Sequence, residues 1–122
     1  HHHGNTPDGM AVMTDEELEL EDGEAVITPG LFDKCTYMVE GAQTGEVSIL
    51  DRDGEAYVTV RFDAPLFALW SPEGKKAPFL CIEPWYGRTD AIDFTGELKD
   101  REYSNHLDAG EVFEKSFSIL FY

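Results

Sequence analysis

The chain has 122 residues, 42% hydrophobic and 12% aromatic, which suits a single folded domain with a real core and is too short for two. Nine basic residues against 25 acidic ones leave a formal charge of −16, a balance that excludes the clustered Lys and Arg needed to hold nucleic acid or an anionic membrane. No apolar run is long enough to span a bilayer and no stretch reads as a signal peptide, so the expected compartment is the cytoplasm.

Residues 1–10, HHHGNTPDGM, open with the form of an affinity-tag remnant and carry Gly, Pro, Asn and Asp without periodicity. They read as a flexible lead-in, and residues 11–122 read as the domain. Thr14 to Glu17 has the spacing of a capping box, enough for one helical turn. The acid-rich run from Asp15 to Glu24 reads as a solvated face, since it lacks the glycine and ligand spacing of a calcium loop. A metal site made of these carboxylates is not expected.

From Ala25 the pattern becomes strand, turn, strand. Ala25-Val26-Ile27 stops at Pro29-Gly30, and Thr36–Val39 forms a second short run. Glu46–Leu50 and Ala56–Phe62 flank Asp51-Arg52-Asp53-Gly54, whose Asp-Gly step is a hairpin signal. Leu66–Trp70 and Phe79–Ile82 follow, and a last alternating stretch holds Val112, Phe113, Phe117, Ile119 and Phe121. Short strands divided by turns, with almost no helical periodicity, predict an all-β fold, an antiparallel β-sandwich or a barrel-like sheet. Cys35 and Cys81 lie within these apolar runs without metal-ligand spacing and read as reduced core thiols.

The segment of chemical interest is PFLCIEPWYGRTD, residues 78–90. Glu83 follows an apolar run and precedes a proline that favours extended backbone, so a strand end with a poorly hydrated carboxylate is expected there, the setting that makes a usable base. Trp85 and Tyr86 offer flat faces for the C–H side of a sugar ring, and Gly87 permits close approach. The plainer alternative pairs Glu83 with Arg88 and puts both aromatics in the core. Trp70 reads first as a core tryptophan and second as a wall of the same cleft, Arg88 and Asp90 are expected to pair, and Lys75-Lys76, the only adjacent basic pair, fits a sugar-phosphate contact or a solvated turn equally.

This segment resembles the signature of the aldose 1-epimerase superfamily, the galactose mutarotase-like proteins, in its LacX-like branch. ITPGLFDK at 27–34, LFALWSPEGKKAPF at 66–79 and LDAGEVFEKSFSI at 107–119 support it in order. The resemblance implies a large antiparallel β-sandwich that interconverts sugar anomers, with Glu83 taking the proton from the C1 hydroxyl while a histidine donates one to the ring oxygen. It also implies an aldose ligand, phosphorylated or not, and chemistry that needs neither metal nor organic cofactor, with Asp33 near the position of an acid that holds sugar hydroxyls, beside the Trp85, Tyr86 and Trp70 already singled out. The chain departs from the pattern in two places. No segment matches the histidine-bearing N-terminal motif, since His106 lies in an unrelated context, and Cys35 stands where an acidic residue is expected after LFDK. The chain therefore reads as the C-terminal part of such a sandwich. Self-association or a missing N-terminal segment is expected to cover its open face.

Overall fold

The computed structural model describes residues 2–4, 9–12, 14 and 17–122. Among these residues there is no α-helix, and seven strands make two antiparallel sheets. In chain order the strands are β1 (His2–Gly4), β2 (Cys35–Glu40), β3 (Glu46–Leu50), β4 (Ala56–Phe62), β5 (Leu66–Trp70), β6 (Cys81–Trp85) and β7 (Phe117–Phe121). The first sheet has the order β1-β2-β5-β6 and the second β3-β4-β7. A single turn of 3-10 helix covers Leu98–Asp100.

Turn chemistry explains how β3 and β4 leave one sheet to found another. Gly41 and Ala42, both at positive φ, turn the chain away from the first sheet after β2. The Asp51 carboxylate then accepts the backbone N–H groups of Asp53 (2.9 Å) and Glu55 (3.1 Å), closing the β3–β4 hairpin with Gly54 at φ 83. The chain next returns as β5 beside β2, pairing Met38 with Ala68 and Glu40 with Leu66.

Strand alternation divides the first sheet into two faces. One face carries Val39, Phe67, Leu69 and Ile82, which pack with Val47, Val60 and Phe62 of the second sheet into a shared apolar cluster. The other carries Met38, Leu66 and Ala68, all but fully buried and packed against Trp85 and Tyr103. Cover for this second face comes from loops. Ala11, fully buried, forms a parallel bridge with Ala91 and ties the early chain to the long irregular segment between β6 and β7.

Several expectations are corrected. Ala25-Val26-Ile27 is not a strand; it lies in exposed irregular chain, because no neighbouring strand offers it a ladder. The run expected at Phe79–Ile82 starts and ends later, at Cys81 and Trp85. Pro84 sits inside it because β6 is an edge strand, where the missing N–H faces away from β5. Val112 and Phe113 stay outside β7. Residues 2–4, within the stretch read as a flexible lead-in, pair with Cys35–Tyr37. The helical turn expected at Thr14 to Glu17 depends on residues 15 and 16, outside the described ones. Cys35 is buried, as expected of a core cysteine, whereas Cys81 is only half-buried.

Candidate functional site

Glu83 belongs to the interior of β6, paired with Ala68 of β5, and is not at a strand end. Period-two alternation puts it on the Met38–Ala68 face, between Cys81 and Trp85 of its own strand, with Trp70 its diagonal neighbour across β5. The Trp85 indole N–H donates to Glu83 Oε2 at 3.1 Å. On the other side burial first, and then the charge and hydrogen bonding of Glu83, push the Cys81 thiol up from its ordinary value. A thiol shifted that way is a poor nucleophile, so Cys81 serves as packing and as a donor. Glu83 is half-buried and is not joined to Arg88.

The aromatic pair expected beside Glu83 is split. Trp85 packs over Met38, Leu66 and Ala68, whereas Tyr86 joins the inter-sheet cluster. The Tyr86 hydroxyl donates to Asp63 Oδ1 at 2.6 Å, its ring meets Phe113 edge-on at 6.0 Å, and the Lys115 ammonium lies 5.3 Å from the ring centre. The Asp63 hydrogen bond is the main reason the Tyr86 phenol is pushed up to about 12, and it holds the Asp63 carboxyl below its usual range. Both aromatics nevertheless border one open hollow of about 500 Å³, together with Pro84, Gly87, Arg88 and Arg101. Glu83 is not among the residues lining it.

The remaining candidates lie elsewhere. Asp33 accepts the backbone N–H of Gly74 at 2.9 Å and so braces the β5–β6 turn. That turn lies past the Trp70–Cys81 row, roughly 13 Å along the strands from the Leu66–Trp85 row. Trp70 is half-buried and packs against Phe79, ring centres 6.3 Å apart. Lys75 and Lys76 are exposed on the same turn. His106, with a side chain 84% exposed, sits 3.4 Å from Asp108.

A second hollow, of about 640 Å³, was not foreseen. Arg88 and Arg101 border both hollows, and Glu40, Asp93, Phe94 and Glu102 complete this one. The Arg88 side chain is 1% exposed, and its Nε lies 2.9 Å from Glu40 Oε1, with Glu40 9% exposed. A further Arg88 nitrogen donates to Glu102, and Asp90 pairs with Arg101 at 3.2 Å instead of with Arg88. The Tyr103 ring lies 5.6 Å from the Arg88 guanidinium and its hydroxyl reaches Glu40 at 3.4 Å. Burial, the largest influence, raises the Glu40 carboxyl above its ordinary value, and the neighbouring Arg88 only partly opposes it. One sequence signal pointed here: Glu40 is in phase with Met38 on β2, so it shares the face that the loops cover.

No family model, no curated protein and no solved structure matches the chain. Among the described residues no group of His, Cys, Asp and Glu is placed to hold a metal ion, and no helix is long and apolar enough to cross a membrane.

Proposed function

We propose that this chain is a carbohydrate-binding protein of mutarotase-like build, cytoplasmic, in which Glu83 is the carboxylate of an acid–base half-site. One observation carries the reading: the Trp85 indole both fixes Glu83, by a 3.1 Å hydrogen bond, and borders a hollow of about 500 Å³. Small-molecule sites are of that size, and they combine a flat apolar wall with a few polar groups. The Trp85 face supplies the wall for a sugar ring, and Thr89 and Arg101 supply polar groups at its border. In this reading the two sheets, joined through Val60, Phe62 and Phe67, are part of an antiparallel sandwich.

The chemistry is anomer interconversion, with Glu83 removing the C1 hydroxyl proton while the ring oxygen accepts another and the C1–O bond opens. His106 is exposed and paired with Asp108, which leaves that second proton without a histidine donor. The chain alone therefore binds aldoses and epimerises them slowly. Galactose and glucose titrations followed by tryptophan emission test the binding. A saturable change in the wild type that Trp85→Leu abolishes supports it; a flat response in both sugars sinks it. Polarimetry of freshly dissolved α-anomers separates catalysis from binding, since Glu83→Gln removes any acceleration over buffer and leaves most of the emission change in place.

A further inference from the structure

The inward face of the second sheet is only half covered. Register places Phe117 opposite Phe62, Ile119 opposite Val60 and Phe121 opposite Val58, so the β7 side chains continue the same apolar face that the first sheet buries at β4. Yet Phe117 is 58% exposed, Ile119 48%, Phe121 77% and the adjoining Tyr122 72%. Among the described residues β4 is the only strand beside β7, so one side of its backbone ladder is open.

The opposite edge of the same sheet is protected. β3 begins with Glu46, joined to Arg61, and its pairing with β4 shifts register between Ile49 and Leu50, an irregularity that increases the local twist of that edge. β7 has none of these devices: Phe-Ser-Ile-Leu-Phe contains no charge, no proline and no bulge, in a chain of net charge −16. Its pattern is also nearly palindromic about Ile119. Antiparallel pairing of β7 with another β7 about a two-fold axis at Ile119 sets Phe117 against Phe121 twice and Ile119 against itself. Such isologous matching points to a second copy, since an unrelated strand has no reason to match that order. Taking a fully exposed large side chain as roughly 150–250 Å², the uncovered parts of Phe117, Ile119 and Phe121 come to roughly 370 Å² per copy. Side-by-side pairing shields a part of that, short of the ~800 Å² each partner brings to a standard interface, which suits a weak dimer.

We infer that β7 is a self-recognition edge through which two copies of this chain join into one six-stranded sheet. The dimer is reversible, and salt strengthens it by screening the repulsion between two acidic chains. The inference does not depend on the sugar reading. Sedimentation velocity over a concentration series tests it, with far-UV circular dichroism as the folding check. The wild type is expected to move from monomer to dimer, more readily in high salt, and Ile119→Lys to lose the dimer while staying folded. A second arm reports even if that variant unfolds. Mild oxidation of Ile119→Cys is expected to give a disulfide-linked dimer, and Ser48→Cys on the β3 edge is not, with the wild type correcting for Cys35 and Cys81. A wild type that stays monomeric, a dimer that survives Ile119→Lys, or linkage through Ser48→Cys in place of Ile119→Cys overturns the proposal.

Discussion

Glu40 and Glu83 lie on the same face of the same sheet, two strands and two residue rows apart, yet their surroundings differ in kind. Glu83 is half-buried and held by neutral donors, the Trp85 indole and the Cys81 thiol. Glu40 is almost covered, faces the buried Arg88 guanidinium, and is still raised above its ordinary pKa because burial outweighs that attraction. The difference comes from what lies above the sheet. Tyr103, held at φ 58, and its neighbours in the segment between β6 and β7 close over Glu40, and the β6 edge leaves Glu83 open on one side. Two carboxylates of one sheet face thus differ because loops cover one and leave the other open on one side.

The sharpest way to break the contrast is to remove Arg88. Arg88→Met leaves Glu40 in a covered site without its cation and should cost about 3 kcal/mol in urea unfolding at neutral pH, as for broken buried pairs. The loss should shrink in acid, where Glu40 takes up a proton; an Arg88→Met loss that does not depend on pH would place the effect in packing alone.

Trp85→Phe tests the other carboxylate. It keeps an aromatic ring against Met38 and Leu66 but deletes the N–H that fixes Glu83, and is expected to cost about 1 kcal/mol of stability. Sugar-linked change in the remaining tryptophan emission should weaken at the same time. An unchanged urea midpoint would mean that the indole hydrogen bond contributes nothing.

Glu40→Gln sharpens the comparison through pH. A carboxyl raised above 4.5 in the folded state adds stability that is complete below that value and is lost as pH rises through the folded value. The Gln variant has no such loss, so relative to the wild type it should gain stability from acid toward neutrality. Parallel pH profiles for the two proteins would refute the buried-carboxylate account.

The smallest effect concerns the Tyr86–Asp63 hydrogen bond on the opposite face. With Asp63 in place the Tyr86 phenol titrates at about 12, and its contribution is present below 10 and lost as pH rises through that higher value. Asp63→Ala should bring the phenol back toward the ordinary tyrosine range in a difference-absorbance titration, with little change in stability, because the site is exposed. A phenol that stays near 12 would assign the shift to Phe113 and the surrounding burial.

Much of this architecture could be read from the chain. The Asp53-Gly54 turn signal and the alternation in Tyr57 to Phe62 located the β3–β4 hairpin, because both signals are local. The failures are non-local. Ala25-Val26-Ile27 has strand composition, but strand formation needs a partner ladder that the fold does not supply. Pro84 suggested that a strand ended before it, and only the knowledge that β6 is an edge makes proline acceptable inside it. The same holds at the site. The Glu83–Trp85 relation is an i, i+2 contact on one strand and could be anticipated, whereas Arg88 met Glu40 and Glu102, residues 48 and 14 positions away, in place of the adjacent Asp90.

Pro84 has one further effect. Because its nitrogen carries no hydrogen and faces outward, the β6 border lacks a donor in the middle of the strand, immediately beside the Trp85 hollow. A foreign peptide trying to lengthen the first sheet there would leave a carbonyl unmatched. That interruption blunts the β6 border against edge-to-edge pairing, a protection that the uninterrupted β7 border does not have.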